Sequence, residues 1–176
     1  MIRKKRTKVD WSKHKLTIKQ INGENVIYEF AVPGHRAQSV IFINAAGIMA
    51  VTGDWGNWFF CREFHPSPDE YVSDGYWIQK LKIASCQEPY DFDSVEVIRE
   101  IEQLKKDHEL SPEEIEWLDE LEIAATDGEY AFIAKAMDHP SSFDCEMIPD
   151  GKVIKWWLLV VFDAFDEICN QLQEKK

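Results

Sequence analysis

The feature that most constrains the fold of this chain is a dense run of aromatic residues within the segment from Gly47 to Trp77. Eight of the 22 aromatic residues of the protein lie between Trp55 and Trp77. Such a run either packs into a hydrophobic core or presents stacked rings to the bases of a single-stranded nucleic acid. Between residues 57 and 79 the only base is Arg62, which is too little positive charge to accompany a stacking surface. We therefore predict a structural joint in the core, with the motif residues Asp54, Trp55, Trp58, Arg62, His65 and Trp77.

The first 65 residues show the alternation and the turn chemistry of an antiparallel sheet. Asn22-Gly23 lies between two apolar segments, as in a two-residue hairpin turn. Residues 39–45 (SVIFINA) are rich in β-branched side chains, which indicates a buried strand. Gly53-Asp54 belongs to a further turn that closes a hairpin onto residues 57–64. The pattern predicts a meander of about five antiparallel strands.

From residue 73 onward the apolar residues repeat with helical spacing. Ser111 is followed by Pro112 and by Glu114, which is the spacing of a capping box with proline at the first helical position. The predicted helices run from Ser73 or Asp74 to about Ala84, from Asp93 onward, from Ser111 to Asp127, and over residues 129–137.

The C-terminal segment combines two patterns. Phe143, Cys145 and Met147 alternate with polar residues, which indicates one strand of a short hairpin that returns at residues 153–154. From residue 154 to residue 172 the helical spacing predicts a long, deeply buried helix. The chain as a whole is predicted to be α+β. Its predicted parts are a flexible basic arm over residues 1–15 and a single domain over residues 16–176, which is sheet-rich at 16–65 and helix-rich at 73–176.

Charge is distributed unevenly along the chain. The formal net charge is −12, yet residues 1–20 hold eight bases and one acid, whereas residues 88–150 hold 20 acids and four bases. A field of this kind bears on partners and solubility rather than on the fold. We expect the acidic half to repel nucleic acid and to attract basic proteins. The basic arm is expected to contact nucleic acid or an acidic surface through Arg3, Lys4, Lys5, Arg6 and Lys8.

Carboxylates crowd two of the predicted helices. Because the apolar stripe of the helix at residues 111–126 faces the core, its carboxylates are expected on the solvent side, where neighbours one turn apart repel each other by about 0.2–0.5 kcal/mol a pair. With no compensating benefit to folding expected, such an array is typical of a surface that mimics nucleic-acid phosphates; acidity for solubility alone is the alternative. The candidate partner-binding residues are Glu96, Glu100, Glu113, Glu114, Glu116, Asp119, Glu120 and Glu122.

Few residues indicate catalysis or metal binding. Cys61, His65 and Asp74 are residue types found in nucleophilic sites, but proximity in sequence does not orient a base toward a thiol. The five histidines form no HxH, HxxxH or HExxH pattern, the four cysteines form no CxxC pair, and there is no GxGxxG or phosphate loop. We expect no catalytic residue, metal or cofactor. A cysteine-dependent enzyme that uses Cys61 and His65 is an alternative.

Neither a secretory signal nor a membrane-spanning segment is expected. The basic N-terminus is not followed by an apolar stretch, and the longest apolar run, from Trp156 to Phe162, is too short to cross a bilayer. The expected location is the cytoplasm, that of the host cell for a viral protein, with the thiols reduced.

Two motifs, TGDWGNWFFCREFHPS and VSDGYW, resemble a group of small proteins encoded in phages and prophages. The resemblance covers roughly Ile48 to Ala84. It implies a protein carried by a mobile element, and acidic proteins of this size and origin include inhibitors of host defence, among them anti-CRISPR proteins that resemble DNA to the defence nuclease. The basic residues from Arg3 to Lys8 depart from a uniformly acidic mimic and permit a bipartite contact.

The charge pattern and the resemblance together predict a non-enzymatic inhibitor. Its expected partner is a basic nucleic-acid-handling protein of host defence, such as a Cas nuclease or its guide RNA complex. The second hypothesis, which follows from the charge alone, is a nucleic-acid-associated protein held by its basic arm.

Overall fold

A computed structural model describes residues 5–23, 25–35, 38–69, 71–84 and 88–174. The chain divides into two compact units. The sheet unit comprises Met1–Pro89 and Ile154–Lys176, and the helical unit comprises Tyr90–Val153. The predicted α+β class is confirmed. The last helix belongs to the same unit as the sheet, although it lies in the segment predicted to be helix-rich.

The sheet unit is built on a six-stranded antiparallel sheet whose strands follow one another in chain order. The predicted five-strand meander is confirmed. Alternate residues of the inner strands point into the core, as the β-branched and aromatic composition indicates. The strands are β1 (Lys15–Asn22), β2 (Asn25–Ala31), β3 (Val40–Ala45), β4 (Ile48–Gly53), β5 (Trp58–Phe60) and β6 (Leu81–Ala84).

The turn after β4 requires glycine at position 53. Gly53 has a φ of +137°, and a Cβ there would lie 2.1 Å from the carbonyl oxygen of Ser39. The amide of Asp54 donates to that same oxygen at 3.1 Å, and the Asp54 carboxylate accepts the Ser39 amide at 2.7 Å. Gly53 and Asp54 therefore fix the turn to the start of β3, which is the structural role predicted for Asp54.

The first helix, α1 (Asp74–Lys80), is shorter than predicted. Residues 81–84 were expected to continue the helix to Ala84, and this prediction is wrong because they form β6. Trp58 pairs with Ala84 and Phe60 pairs with Leu81, so hydrogen bonding to β5 replaces the last helical turn. The N-terminus is as predicted, since the Ser73 hydroxyl accepts the amide of residue 76.

The core of the sheet unit lies between the sheet and the C-terminal helix α5 (Trp156–Gln173), whose predicted length is confirmed. Trp77 stacks against Phe162 with ring centroids 5.1 Å apart, and against Phe64 with centroids 4.2 Å apart. Trp55 and Trp58 are also buried. The three tryptophans of the aromatic segment are therefore part of the core, as predicted.

The helical unit has a hydrophobic core of its own, formed by the inward faces of its helices. The expected hairpin strand at residues 143–147 is wrong. Residues 145–147 form a single 3-10 turn, with the Asp144 carboxylate accepting the Glu146 amide. The elements are β7 (Tyr90–Phe92), α2 (Ser94–Asp107), α3 (Pro112–Asp127), α4 (Glu129–Ala136) and β8 (Lys152–Ile154), and β8 pairs with β7 rather than with residues 143–147.

The capping box predicted at the start of α3 is confirmed. The Ser111 hydroxyl accepts the amide of Glu114 at 3.3 Å, and the Glu114 carboxylate accepts the amide of Ser111 at 2.7 Å. The Ser142 hydroxyl also donates to that carboxylate. The hydrogen bonds from Ser111, and to a smaller extent the one from Ser142, hold the pKa of Glu114 below its ordinary value.

Replacing Ser111 by alanine is expected to lower the free energy of unfolding by about 1 kcal/mol, because one amide of the first turn of α3 loses its acceptor. The measurement is urea denaturation followed by circular dichroism. Ser141→Ala is the control, since Ser141 is exposed and lies outside the regular elements. Equal stability of the two variants would contradict the role of the capping box.

Candidate functional site

The basic arm is anchored to the sheet unit at Arg6 and Thr7. The amides of Arg6 and Thr7 donate to the carboxylate of Asp163 at 2.9 and 2.7 Å, and the Thr7 hydroxyl donates to it at 2.6 Å. The Arg6 guanidinium contacts Asp74 and Asp166 at 2.7 Å each. Its pKa is lowered by burial but raised further by these two carboxylates, so the net shift is upward and the group is always charged.

Residues 1–15 were predicted to be a flexible arm, and this anchor corrects that prediction for the described part, residues 5–15. Trp11 is buried in the core, and Arg6 belongs to a buried ion network instead of being available to a partner. Lys5 and Lys8 are exposed. The remaining candidates, Arg3 and Lys4, lie outside the described residues.

Sequence analysis missed the partners of Arg6. Asp163 and Asp166 are buried on α5, the most apolar helix, one turn apart. A buried carboxylate needs a cation and hydrogen-bond donors. Two acids three residues apart within an apolar run were therefore a signal for a buried cation elsewhere in the chain.

Two of the three candidate nucleophilic-site residues, His65 and Asp74, are hydrogen-bonded to other side chains. The Tyr28 hydroxyl contacts Nδ1 of His65 at 3.1 Å, and the Glu63 carboxylate contacts Nε2 at 3.0 Å. Asp74 binds Arg6. Cys61 is an exposed free thiol. Both nitrogens of His65 thus have partners other than this thiol, so the geometry does not form a thiol–imidazole pair.

Arg62 also has a structural environment. Its guanidinium lies 5.3 Å from the centroid of the Tyr76 ring and 5.8 Å from that of Phe64, and it is hydrogen-bonded to the Tyr76 hydroxyl. The guanidinium therefore packs as a cation over the aromatic joint.

Six of the eight candidate acidic residues have partners within the helical unit. Lys105 of α2 lies 2.5 Å from Asp119 and 2.7 Å from Glu122 of α3. Burial lowers the pKa of Lys105, but the hydrogen bonds with these two acids outweigh it and raise the pKa above its ordinary value. The other pairs are Glu96 and Glu100 with Arg99, Glu120 with Lys135, and Glu114 with Ser111 and Ser142.

This pairing corrects the expectation of an uncompensated array. Within the described residues, Glu113 and Glu116 alone among the eight candidates have no such partner, and both are exposed on α3. The five bases of the helical unit nevertheless face 19 acids, so the unit has a net charge of −14. The field predicted from sequence persists after local pairing.

The helical unit also exposes an apolar surface that sequence analysis missed. Tyr130, Ile133 and Met137 are three and four residues apart, so they share one face of α4 and its C-terminal end. Their exposed fractions are 90%, 47% and 81%. We call these three residues the α4 face. It adjoins a groove of about 450 Å³ whose apolar lining includes Phe92 and Phe132.

Within the described residues, no three His, Cys, Asp or Glu side chains are grouped so that they could hold a metal ion. None of the described helices combines the length and the apolar character needed to cross a membrane. No family model matches this chain, and neither a curated protein nor a solved structure matches it significantly.

Replacing Arg6 by glutamine is expected to lower the free energy of unfolding by about 3 kcal/mol, because Asp163 and Asp166 then stay buried without their cation. Lys8→Gln is the matched control in the same arm and should change stability by less than about 0.5 kcal/mol, since Lys8 is exposed. Chemical denaturation measures both. A similar small effect of the two substitutions would contradict the anchoring of the arm.

Proposed function

We propose that this protein is a non-enzymatic inhibitor whose helical unit binds a basic surface on a nucleic-acid-handling protein. The observation that supports this proposal is the coincidence of a net charge of −14 with an exposed apolar face in one unit of 64 residues, Tyr90–Val153. Acidity alone is compatible with a solvated surface. An apolar centre beside an acidic surface is what an interface with a basic protein requires.

The two kinds of surface contribute differently to binding. The unpaired carboxylates of Glu113 and Glu116 speed association with a basic partner, and salt screens this effect. The α4 face contributes burial of aromatic and thioether groups, which lowers the dissociation rate. Acidic groups in the rim of the adjoining groove include Glu129 and Asp150.

The class of target is proposed from the resemblance of residues 52–67 and 72–77 to phage-encoded proteins, which include inhibitors of host defence. A groove that binds nucleic-acid phosphates is lined with Lys and Arg, and it is therefore a basic surface that an acidic unit can occupy. We therefore propose a defence nuclease as partner, with a Cas nuclease loaded with its guide RNA as the first to test. The cysteine-dependent alternative has less support because His65 is held by Tyr28 and Glu63.

The double substitution Glu113→Lys/Glu116→Lys is expected to weaken binding to the responsive Cas complex about tenfold or more, because two like charges then face its basic groove. The assay is biolayer interferometry on a panel of purified Cas nuclease–guide complexes, with DNA cleavage measured in parallel. Glu88→Lys/Glu174→Lys is the control, since it makes the same change in net charge at exposed residues of the sheet unit.

Two results would contradict the proposal. The first is that no complex in the panel binds or is inhibited. The second is that the two double variants weaken binding equally, which would leave only a diffuse effect of net charge.

Tyr130→Ala is expected to weaken binding to the same complex by about 2 kcal/mol, roughly 30-fold, with the loss mainly in the dissociation rate. Stability should change by less than about 0.5 kcal/mol because the side chain is exposed. Val95→Ala, an exposed apolar residue of α2, is the control. An unchanged dissociation rate for Tyr130→Ala would exclude the α4 face from the interface.

A further inference from the structure

A second surface, in the sheet unit, has the composition of a nucleotide site. It is a cavity of about 540 Å³ lined by Trp55, Trp156 and Trp157 together with Val9, Asp10, Lys13, His14, Val32 and Gln38. The lining residues come from the end of β2, the start of β3, the segment after β4 and the start of α5. In an antiparallel meander these strand termini lie at the same end of the sheet, so residues distant in sequence converge there.

The tryptophans of this cavity have accessible ring surface. Trp156 and Trp157 are 48% and 46% exposed, and their rings meet edge to face with centroids 5.0 Å apart. Two adjacent exposed tryptophans form an apolar patch of the kind that marks a binding surface. Flat aromatic ligands, and nucleobases in particular, stack on such rings.

The charged groups beside the rings favour a ligand with a phosphate. Lys13 is exposed in the lining, and Lys5 is close enough to Asp10 for both lysines to lower the pKa of that carboxyl, after the larger effect of its bonds with Ser12. Lys13 therefore supplies a cation in the lining itself, next to one carboxylate, Asp10. The sheet unit as a whole holds 15 bases against 13 acids, in contrast to the helical unit.

Two further groups of the cavity match a nucleotide. The N-cap residue of α5, Lys155, offers no side-chain acceptor to the first-turn amides, so the positive end of an 18-residue helix dipole faces this region without a side-chain cap. His14 is 1% exposed, and its Nε2 donates to the carbonyl of Gln38 at 2.8 Å. Its Nδ1 is then a buried acceptor without a partner among the described residues, in a side chain that belongs to the cavity lining.

We propose that this cavity binds a nucleotide, with the base stacked on Trp156 or Trp157 and the phosphate near Lys13 and the N-terminus of α5. The nucleotide belongs to a single strand or is free in solution, and both sources have the same chemistry. None of its residues belongs to the surface proposed for the protein partner. Either proposal can therefore be wrong without affecting the other.

The test uses the full chain and nucleic acid alone. Fluorescein-labelled dT12 is titrated in 50 mM salt and followed by anisotropy. Trp156→Ala and Trp157→Ala should each weaken binding roughly 5- to 150-fold, the range for loss of one stacked base. Tyr71→Ala is the control, since Tyr71 is an exposed aromatic residue of the same unit outside the cavity lining.

A pair of lysine variants tests the phosphate contact. Lys13→Gln should reduce the slope of log affinity against log salt by about 0.7, the value for one phosphate of a single strand. Lys82→Gln, at an exposed position on the edge strand β6, should leave the slope unchanged. If the two variants had equal slopes, the phosphate contact at Lys13 would be wrong, and the attraction of nucleic acid would come from the overall charge of the protein.

Photocrosslinking of wild-type protein to dT12 containing 5-iododeoxyuridine keeps the test independent of how the variants fold. The crosslinked peptide should contain Trp55 or the Trp156–Trp157 pair. If dTMP displaces the labelled dT12, the site binds free nucleotides. If unlabelled dT12 displaces it and dTMP does not, the site binds a single strand. Absence of dT12 binding, tryptophan variants that bind like wild type, or crosslinks only elsewhere would overturn the proposal.

Discussion

The sheet unit depends on how two buried carboxylates are neutralised. Asp163 and Asp166 lie on the helix that packs against the sheet, where an unpaired charge would cost several kcal/mol. Arg6 supplies the cation, and the amides of Arg6 and Thr7 supply donors to Asp163. Because these groups lie about 160 residues from their partners along the chain, the packing of α5 against the sheet depends on contacts from the N-terminal segment.

The same anchor determines what the basic arm can do. Arg6 is committed to the interior, so the charge that remains for a ligand comes from exposed lysines such as Lys5 and Lys13. Trp11, buried behind them, fixes the chain between Arg6 and β1. A segment that resembles a free nucleic-acid-binding tail in sequence therefore contributes Val9, Asp10 and Lys13 to the lining of the cavity that holds the exposed tryptophans.

The features predicted correctly from sequence are those specified by neighbouring residues. The Asn22-Gly23 hairpin and the capping box at Ser111 are encoded within four residues, and both form as expected. One error is local, since the Asp144 carboxylate accepts the Glu146 amide and a 3-10 turn forms where a strand was expected. The other errors concern non-local pairing. Residues 81–84 have helical spacing but gain hydrogen bonds from β5, and the acids of α3 find Lys105 on α2. No local pattern could show either partner, and the same holds for the exposure of Trp156 within an apolar run.

The two units differ in net charge, and this difference determines which of them can bind a phosphate. A phosphate approaching the helical unit meets a net charge of −14, so direct contact with nucleic acid there is opposed electrostatically. The sheet unit, with a slight excess of bases and tryptophans exposed at the start of α5, presents the opposite chemistry. An acidic surface and a base-stacking cavity on one chain are compatible with a protein partner that itself holds a single strand, because that partner offers a basic groove and a nucleotide together.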